Sequence, residues 1–213
     1  MALPPIVEKP QRDLLFKVTK QNSKLPENDL CLLAFFFGTG LTTLQINRIQ
    51  LCDVVHKNGK ILDKFTIRGE DRLAYLSNPK VRDSLEDHLA WRVKHKILLG
   101  DNPDQYRGLD PNEGLFVTDK YKPYAISRKT TDAGNVSYSA EGLNRHLRSV
   151  MKNAGVEDAS ILSGRRTFAV TLGRAGYDVA HIHHLLGHKT LDTTQKMLRT
   201  DTVNMGNIVA NAF

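Results

Sequence analysis

Apolar residues change their spacing several times along this chain, and each change marks an element. Residues 1–25 are polar, basic and proline-flanked, without a period, and read as an N-terminal arm or linker. Leu30 to Phe37 is apolar on every side, the pattern of a fully buried helix, and Gly38-Thr39-Gly40 ends it. Leu44, Ile46, Ile49 and Leu51 place a short helix over Thr42–Ile49. Lys57-Asn58-Gly59-Lys60 is a turn. Lys60–Ile67 and Arg72–Leu76, joined by Arg68-Gly69-Glu70-Asp71, read as two strands of an antiparallel sheet. Asn78-Pro79 is a helix start, with Asn as cap and Pro in the first turn. The stripe Val81, Leu85, Leu89, Trp91 carries that helix towards Gly100.

Residues 101–138 are irregular, rich in Asp, Asn, Gly, Pro and Tyr, with one short strand expected at Leu115-Phe116-Val117. A connection of that length is often functional. Ser139 is placed to cap a helix bearing Leu143, Leu147, Val150 and Met151. Three helices are expected to follow, at 163–175, 178–187 and 192–199, then a weak apolar helix from Thr202 to Phe213. Helices, a small antiparallel β-sheet, then more helices make the fold α+β and mainly helical. The expected organisation is an arm (1–25), one domain (26–200) and a tail helix (201–213).

Composition narrows the partner. With 213 residues the chain can bury a core unaided. No apolar run approaches the roughly twenty residues of a membrane span, and no signal pattern opens the sequence. Cys31 and Cys52 are the only thiols, which suits a reducing cytoplasm better than a disulfide framework. No glycine-rich phosphate loop follows a strand, so no small-molecule cofactor is expected. The net charge is +7, and its distribution is uneven. Between Gly164 and Thr200 lie Arg165, Arg166, Arg174, Lys189, Lys196 and Arg199, against only Asp178 and Asp192. His181, His183, His184 and His188 fall in the same stretch. An excess of this kind favours a polyanion. His184 and His188 are spaced for a metal on a helix, but no Glu or Cys cluster accompanies them, and no metal is expected.

Three blocks carry chemistry. The first is Thr39-Gly40-Leu41…Ile46…Ile49-Gln50-Leu51-Cys52-Asp53. The second is Gly164-Arg165-Arg166-Thr167-Phe168-Ala169, followed by Ala175-Gly176-Tyr177-Asp178. The third is Leu185-Leu186-Gly187-His188-Lys189…Thr193-Thr194-Gln195. With a basic hairpin between the first two, this order resembles the C-terminal catalytic domain of the tyrosine recombinase (phage integrase) family, over about Leu30 to Thr200.

The resemblance implies a reaction. Two arginines grip the scissile phosphate, a hairpin lysine protonates the leaving 5′ oxygen, histidines move protons, and a tyrosine attacks phosphorus. Carried onto this chain, the second arginine is Arg165 and the late histidine is His188. The first arginine falls on Thr42, and Arg48, six residues on, leaves the helix about 120° away. The hairpin lysine falls on Arg68, which can hold phosphate but is a poor proton donor. The earlier histidine falls on Leu162, and the tyrosine on Met197, whose thioether has no removable proton. Tyr177 lies about twenty residues too early in sequence, and no base is evident for Thr193, Thr194 or Thr200.

Cleavage is therefore not expected of this chain. A lost nucleophile costs many powers of ten in rate, and a lost arginine clamp a further ~2 kcal/mol or more. Arg68, Arg165 and His188 remain as candidate phosphate contacts, with Arg166, Lys189, Lys196 and Arg199 as further DNA contacts. The alternatives are a buried Arg165 tied to a carboxylate and a His188 that is a helix-end hydrogen bonder. Tyr121 and Tyr124 lie amid Lys120, Lys122, Arg128 and Lys129 as a basic-aromatic loop. The resemblance also implies an N-terminal clamp domain, for which only some 25 residues precede the matching region, and a C-terminal segment (203–213) that docks on a neighbouring protomer.

Three functions stand against one another. The first is a cleavage-dead protein that binds double-stranded DNA as a transcriptional regulator or accessory factor of a mobile element. The second is a working recombinase with a displaced or partner-supplied nucleophile. The third is a protein-interaction module that has lost DNA.

Overall fold

The computed structural model describes residues 3–130, 134–156 and 158–199. Thr200 and the expected tail helix lie outside the described residues. Helix α2 (Pro26–Gly38) is the hub. Cys31, Leu32, Leu33, Phe35 and Phe36 on it are all buried, as its unbroken apolar sequence requires. Helices α1 (Lys9–Asn22), α5 (Pro79–Lys94) and α7 (Ser163–Arg174) pack around it.

The arm reading of residues 1–25 is corrected by α1. Its few apolar positions hid it, since only Leu15 and Thr19 are buried. A capping box at Glu8 and Gln11 starts it. The Val7 N–H donates to Thr167 Oγ1 at 3.0 Å and Arg174 pairs with Glu8 at 2.8 Å, so the start of the chain is fastened to α7.

Between α2 and α5 come α3 (Thr43–Arg48), α4 (Leu51–Val54) and the antiparallel pair β1 (Lys64–Thr66) and β2 (Leu73–Tyr75), in register Phe65↔Ala74. Helix α5 starts at the Asn78 cap as expected but stops short of Gly100, because Lys96 and Leu98 take positive φ. The long connection then departs from expectation twice. Leu115–Val117 is not a strand. Instead, the Asn28 amide donates to Val117 O at 3.2 Å and accepts from Val117 N at 3.0 Å, standing in for a strand partner. A second antiparallel pair, β3 (Ser127–Thr130) and β4 (Val136–Ser139), forms where irregular chain was expected. Ser139 lies in β4 and caps nothing. Helix α6 (Glu141–Asn153) begins after Ala140.

Helices α7, α8 (Val179–Leu186) and α9 (Leu191–Leu198) follow the expected spans and close a separate cluster around Ala169, Ile182 and Leu186. Among the described residues no helix is long and apolar enough to cross a membrane.

Helix α7 approaches α2 at Gly164, where a β-carbon would stand 2.5 Å from the Phe36 carbonyl oxygen. That oxygen belongs to backbone and cannot step aside. Gly164→Ala should therefore lower stability by about 1–3 kcal/mol, read as a lower urea midpoint at unchanged m-value.

His88 on α5 is wholly buried, with Nε2 2.9 Å from Leu115 O. Burial, then the Arg92 guanidinium, pushes its pKa from 6.5 down to about 3. The folded chain keeps this ring neutral while the unfolded chain protonates it. Its contribution to stability is thus complete above pH 6.5 and lost as pH falls towards 3. His88→Phe should flatten this part of the acid limb in urea titrations run across that range.

Candidate nucleic-acid interface

Arg165 and His188 lie where three segments converge: the turn before α3, the β1–β2 hairpin, and the C-terminus of α8. A helix end leaves carbonyls without intrahelical partners and carries partial negative charge. Two guanidiniums occupy that end of α8. Arg165 donates to Leu186 O, and Arg72, just before β2, donates to Leu185 O. Arg165 also reaches Gly40 O at 3.3 Å, tying α7 to the turn before α3. Among the described residues no carboxylate pairs with Arg165, whose partners are main-chain carbonyls, not the acid of the carboxylate-tied alternative.

Gly187 permits this approach. It caps α8 in the left-handed conformation, φ 63°, and a β-carbon there would collide with the Arg72 guanidinium. Burial, then repulsion from Arg72, lowers the Arg165 pKa to about 10, with Glu70 opposing. It stays charged at neutral pH.

His188 follows Gly187. Its Nδ1 lies 2.9 Å from Thr194 Oγ1, and the Nδ1 of His183 lies 3.0 Å from the same oxygen. A hydroxyl donates only one proton, so at least one ring must itself donate to Thr194. Partial burial, with Arg165, His183 and Arg72 nearby, lowers the His188 pKa to about 4. The ring is neutral at pH 7, and this bond leaves its Nε2 unengaged by Thr194.

Thr42, Met197 and Leu162 have structural surroundings of their own. Thr42 is the N-cap of α3: its hydroxyl accepts from Gln45 N at 3.2 Å, while Gln45 Oε1 accepts from Thr42 N at 2.7 Å. Gln45 in turn donates to Glu70, the partner of Arg72 at 3.0 Å. Met197 packs with Phe168, Leu172 and Leu198 against the Ala169–Ile182–Leu186 cluster. Leu162 is about half exposed, at 51%.

The remaining candidates divide. Arg68 is not brought to Arg165: it forms a bidentate pair with Asp53, at 2.6 and 2.9 Å, and also reaches Cys52 Sγ. The hairpin cation that does reach the site is Arg72, four residues on, which sequence reasoning missed. Arg68 turns to Asp53 beside α4 and Arg72 to Leu185 at the end of α8, a division that residue pattern does not announce.

Arg166 is buried and donates to the carbonyls of Pro4, Met197 and Arg199. It holds the α9 end and the chain start together and is not a surface contact. Lys189 and Arg199 are exposed, as is Lys196, which pairs with Asp192 at 2.6 Å. Thr194, set aside for want of a base, does contact two imidazoles, but it is fully buried. Tyr177 and His188 stand at opposite ends of α8, whose 8 residues span about 12 Å. Among the described residues no group of three or more His, Cys, Asp or Glu could hold a metal ion.

Residues 6–202 match the Phage integrase family. Tyrosine recombinase XerC of Oceanobacillus iheyensis is 26% identical over 199 residues, which is 91% of this chain and 56% of that protein. This chain thus spans little more than half the length of that relative. The crystal structure of XerA recombinase aligns with a TM-score of 0.68 at 17% identity, covering 99% of this chain and 64% of that one. The XerH site-specific recombinase bound to palindromic difH substrate aligns at 0.64 and 17% identity, covering 99% and 53%.

An anion seated between Arg165 and His188 favours the imidazolium. The His188 ring signal in NMR should titrate near pH 4 in the free protein and move to higher pH when inorganic phosphate is added. A pKa indifferent to phosphate would place the ring outside the anion's reach.

Proposed function

Because the chain belongs to the phage integrase family, we propose that it binds double-stranded DNA and does not cut it. The observation that carries this reading is the division within one site. Arg165, Arg72 and His188 gather at the end of α8, while the positions that the family resemblance gives to the first arginine and the nucleophile hold a helix cap and a half-buried methionine. Cations fixed by backbone carbonyls are ready for a phosphate without rearrangement. Among the described residues, the hydroxyl that touches His188 is that of Thr194, which is fully buried. Such a protein would serve as a transcriptional regulator or accessory factor of a mobile element, acting in the cytoplasm by occupying DNA.

Phosphate contacts make binding steeply salt-dependent. Arg165→Ala should weaken binding to a labelled mixed-sequence duplex about tenfold or more, and make the log–log salt slope shallower by about 0.9. Fluorescence anisotropy across a salt series measures both, with circular dichroism as the control for folding. Absence of binding to any duplex at low salt would defeat the reading.

The rival with a specific observation behind it is an enzyme that uses Thr194, whose oxygen touches two histidines. It requires α9 to leave its place, because Thr194 is fully buried. A nicked suicide duplex decides the matter. We expect no covalent protein–DNA band from the wild type, and a band lost in Thr194→Ala would establish the rival.

A further inference from the structure

The β3–β4 ribbon gives nothing to the core. All of its side chains are exposed or half-exposed, on both faces. A two-stranded hairpin in water is marginal by itself, so a ribbon wet on both sides points to a use outside the folded chain. Its register pairs Arg128 with Tyr138 and Thr130 with Val136 on one face, and Lys129 with Ser137 on the other. Each face therefore carries a cation.

The ribbon's position is set by α3. Arg48, at the end of that helix, lays its guanidinium 5.4 Å from the centroid of the Tyr138 ring. The same guanidinium stands 3.7 Å from where a β-carbon on Gly69 would be, in the β1–β2 turn. Nearer the start of α3, Gln45 holds Glu70 of that turn, and Glu70 holds Arg72 of the phosphate site. Arg48 thus bridges the two hairpins, and α3, whose 6 residues span about 9 Å, sets their spacing. Among the described residues no carboxylate pairs with Arg48 or Arg128, and Lys129 has only Glu141 at 3.6 Å.

Resting on the DNA-binding reading above, we propose that the β3–β4 ribbon enters the major groove of the duplex whose backbone the Arg165 site holds. That groove, about 12 Å wide, admits a two-stranded ribbon. From Lys120 to Ser139 the sequence has four basic residues and one acidic residue, the balance a polyanion calls for. Between the cations stand groups suited to base edges: hydroxyls on Thr130, Ser137 and Tyr138, and the exposed apolar surface of Val136 for thymine methyls. A protein partner would be met better by an apolar face with few charges than by cations on both sides.

The test uses the full chain, its double variant Arg128→Ala/Lys129→Ala, and Tyr138→Ala. None of these side chains is buried, so folding is preserved. The probes are a mixed-sequence duplex and the same duplex with glucosylated hydroxymethylcytosine, which fills the major groove and leaves the backbone alone. The double variant should bind the plain duplex about tenfold more weakly, with a log–log salt slope shallower by about 1.8, two phosphate-neighbouring cations having been removed. Tyr138→Ala should weaken binding without changing that slope. The wild type should lose a similar factor on the glucosylated duplex, and the double variant should bind both duplexes alike. Equal wild-type affinity for the two duplexes overturns the proposal while leaving the DNA-binding reading intact. A double variant that binds DNA normally but changes its sedimentation overturns it in favour of a protein contact. A wild type that binds neither duplex defeats the underlying reading.

Discussion

The C-terminal end of α8 is where the molecule is held together and where its charge is organised. Two guanidiniums approach one helix end, a placement that mutual repulsion would ordinarily forbid. The carbonyls of Leu185 and Leu186 make it tolerable, since they lack helical partners and carry the negative end of the helix dipole. Glu70 offsets part of the remaining charge. The outcome is a rigid cationic corner in which each arginine is positioned by the backbone. Gly187 and Gly164 are the steric conditions for it: one lets Arg72 reach the helix end, and the other lets α7 lie against α2 so that Arg165 arrives beside it.

The other positions of the site are explained by the same convergence. The Thr42 hydroxyl caps α3 by accepting from Gln45 N, and Gln45 extends that cap to Glu70. At position 197 a methionine fills the seam between α7, α8 and α9, where a flexible thioether packs well. His188 shares the buried Thr194 hydroxyl with His183, and partial burial, then the charges of Arg165, His183 and Arg72, keep its ring neutral. Thr42 and Met197 thus serve this corner as a helix cap and as packing.

Much of the helical skeleton was legible because burial leaves a periodic trace. The unbroken apolar run of α2, the Asn78-Pro79 start of α5 and the glycine after α8 each have a local physical cause. Helix α1 and the β3–β4 ribbon escaped for the opposite reason. One buries little beyond Leu15 and Thr19, and the other buries nothing, so neither writes a period into the chain. Arg166 looked like a surface charge because its partners are main-chain carbonyls, which no residue pattern announces.

The sequence by itself determined the family resemblance, the mainly helical α+β fold, and the presence of threonine and methionine where an arginine and a tyrosine were expected, because these depend on residue identity and near-neighbour spacing. Only the tertiary structure decided which cations share the site. Arg68 and Arg72 lie four residues apart on one basic hairpin, yet one is spent on Asp53 and the other reaches α8. Side-chain direction at a strand end, and the space that a distant glycine leaves open, are set by packing between segments over a hundred residues apart, from Arg72 to Leu185, and local sequence has no access to that distance.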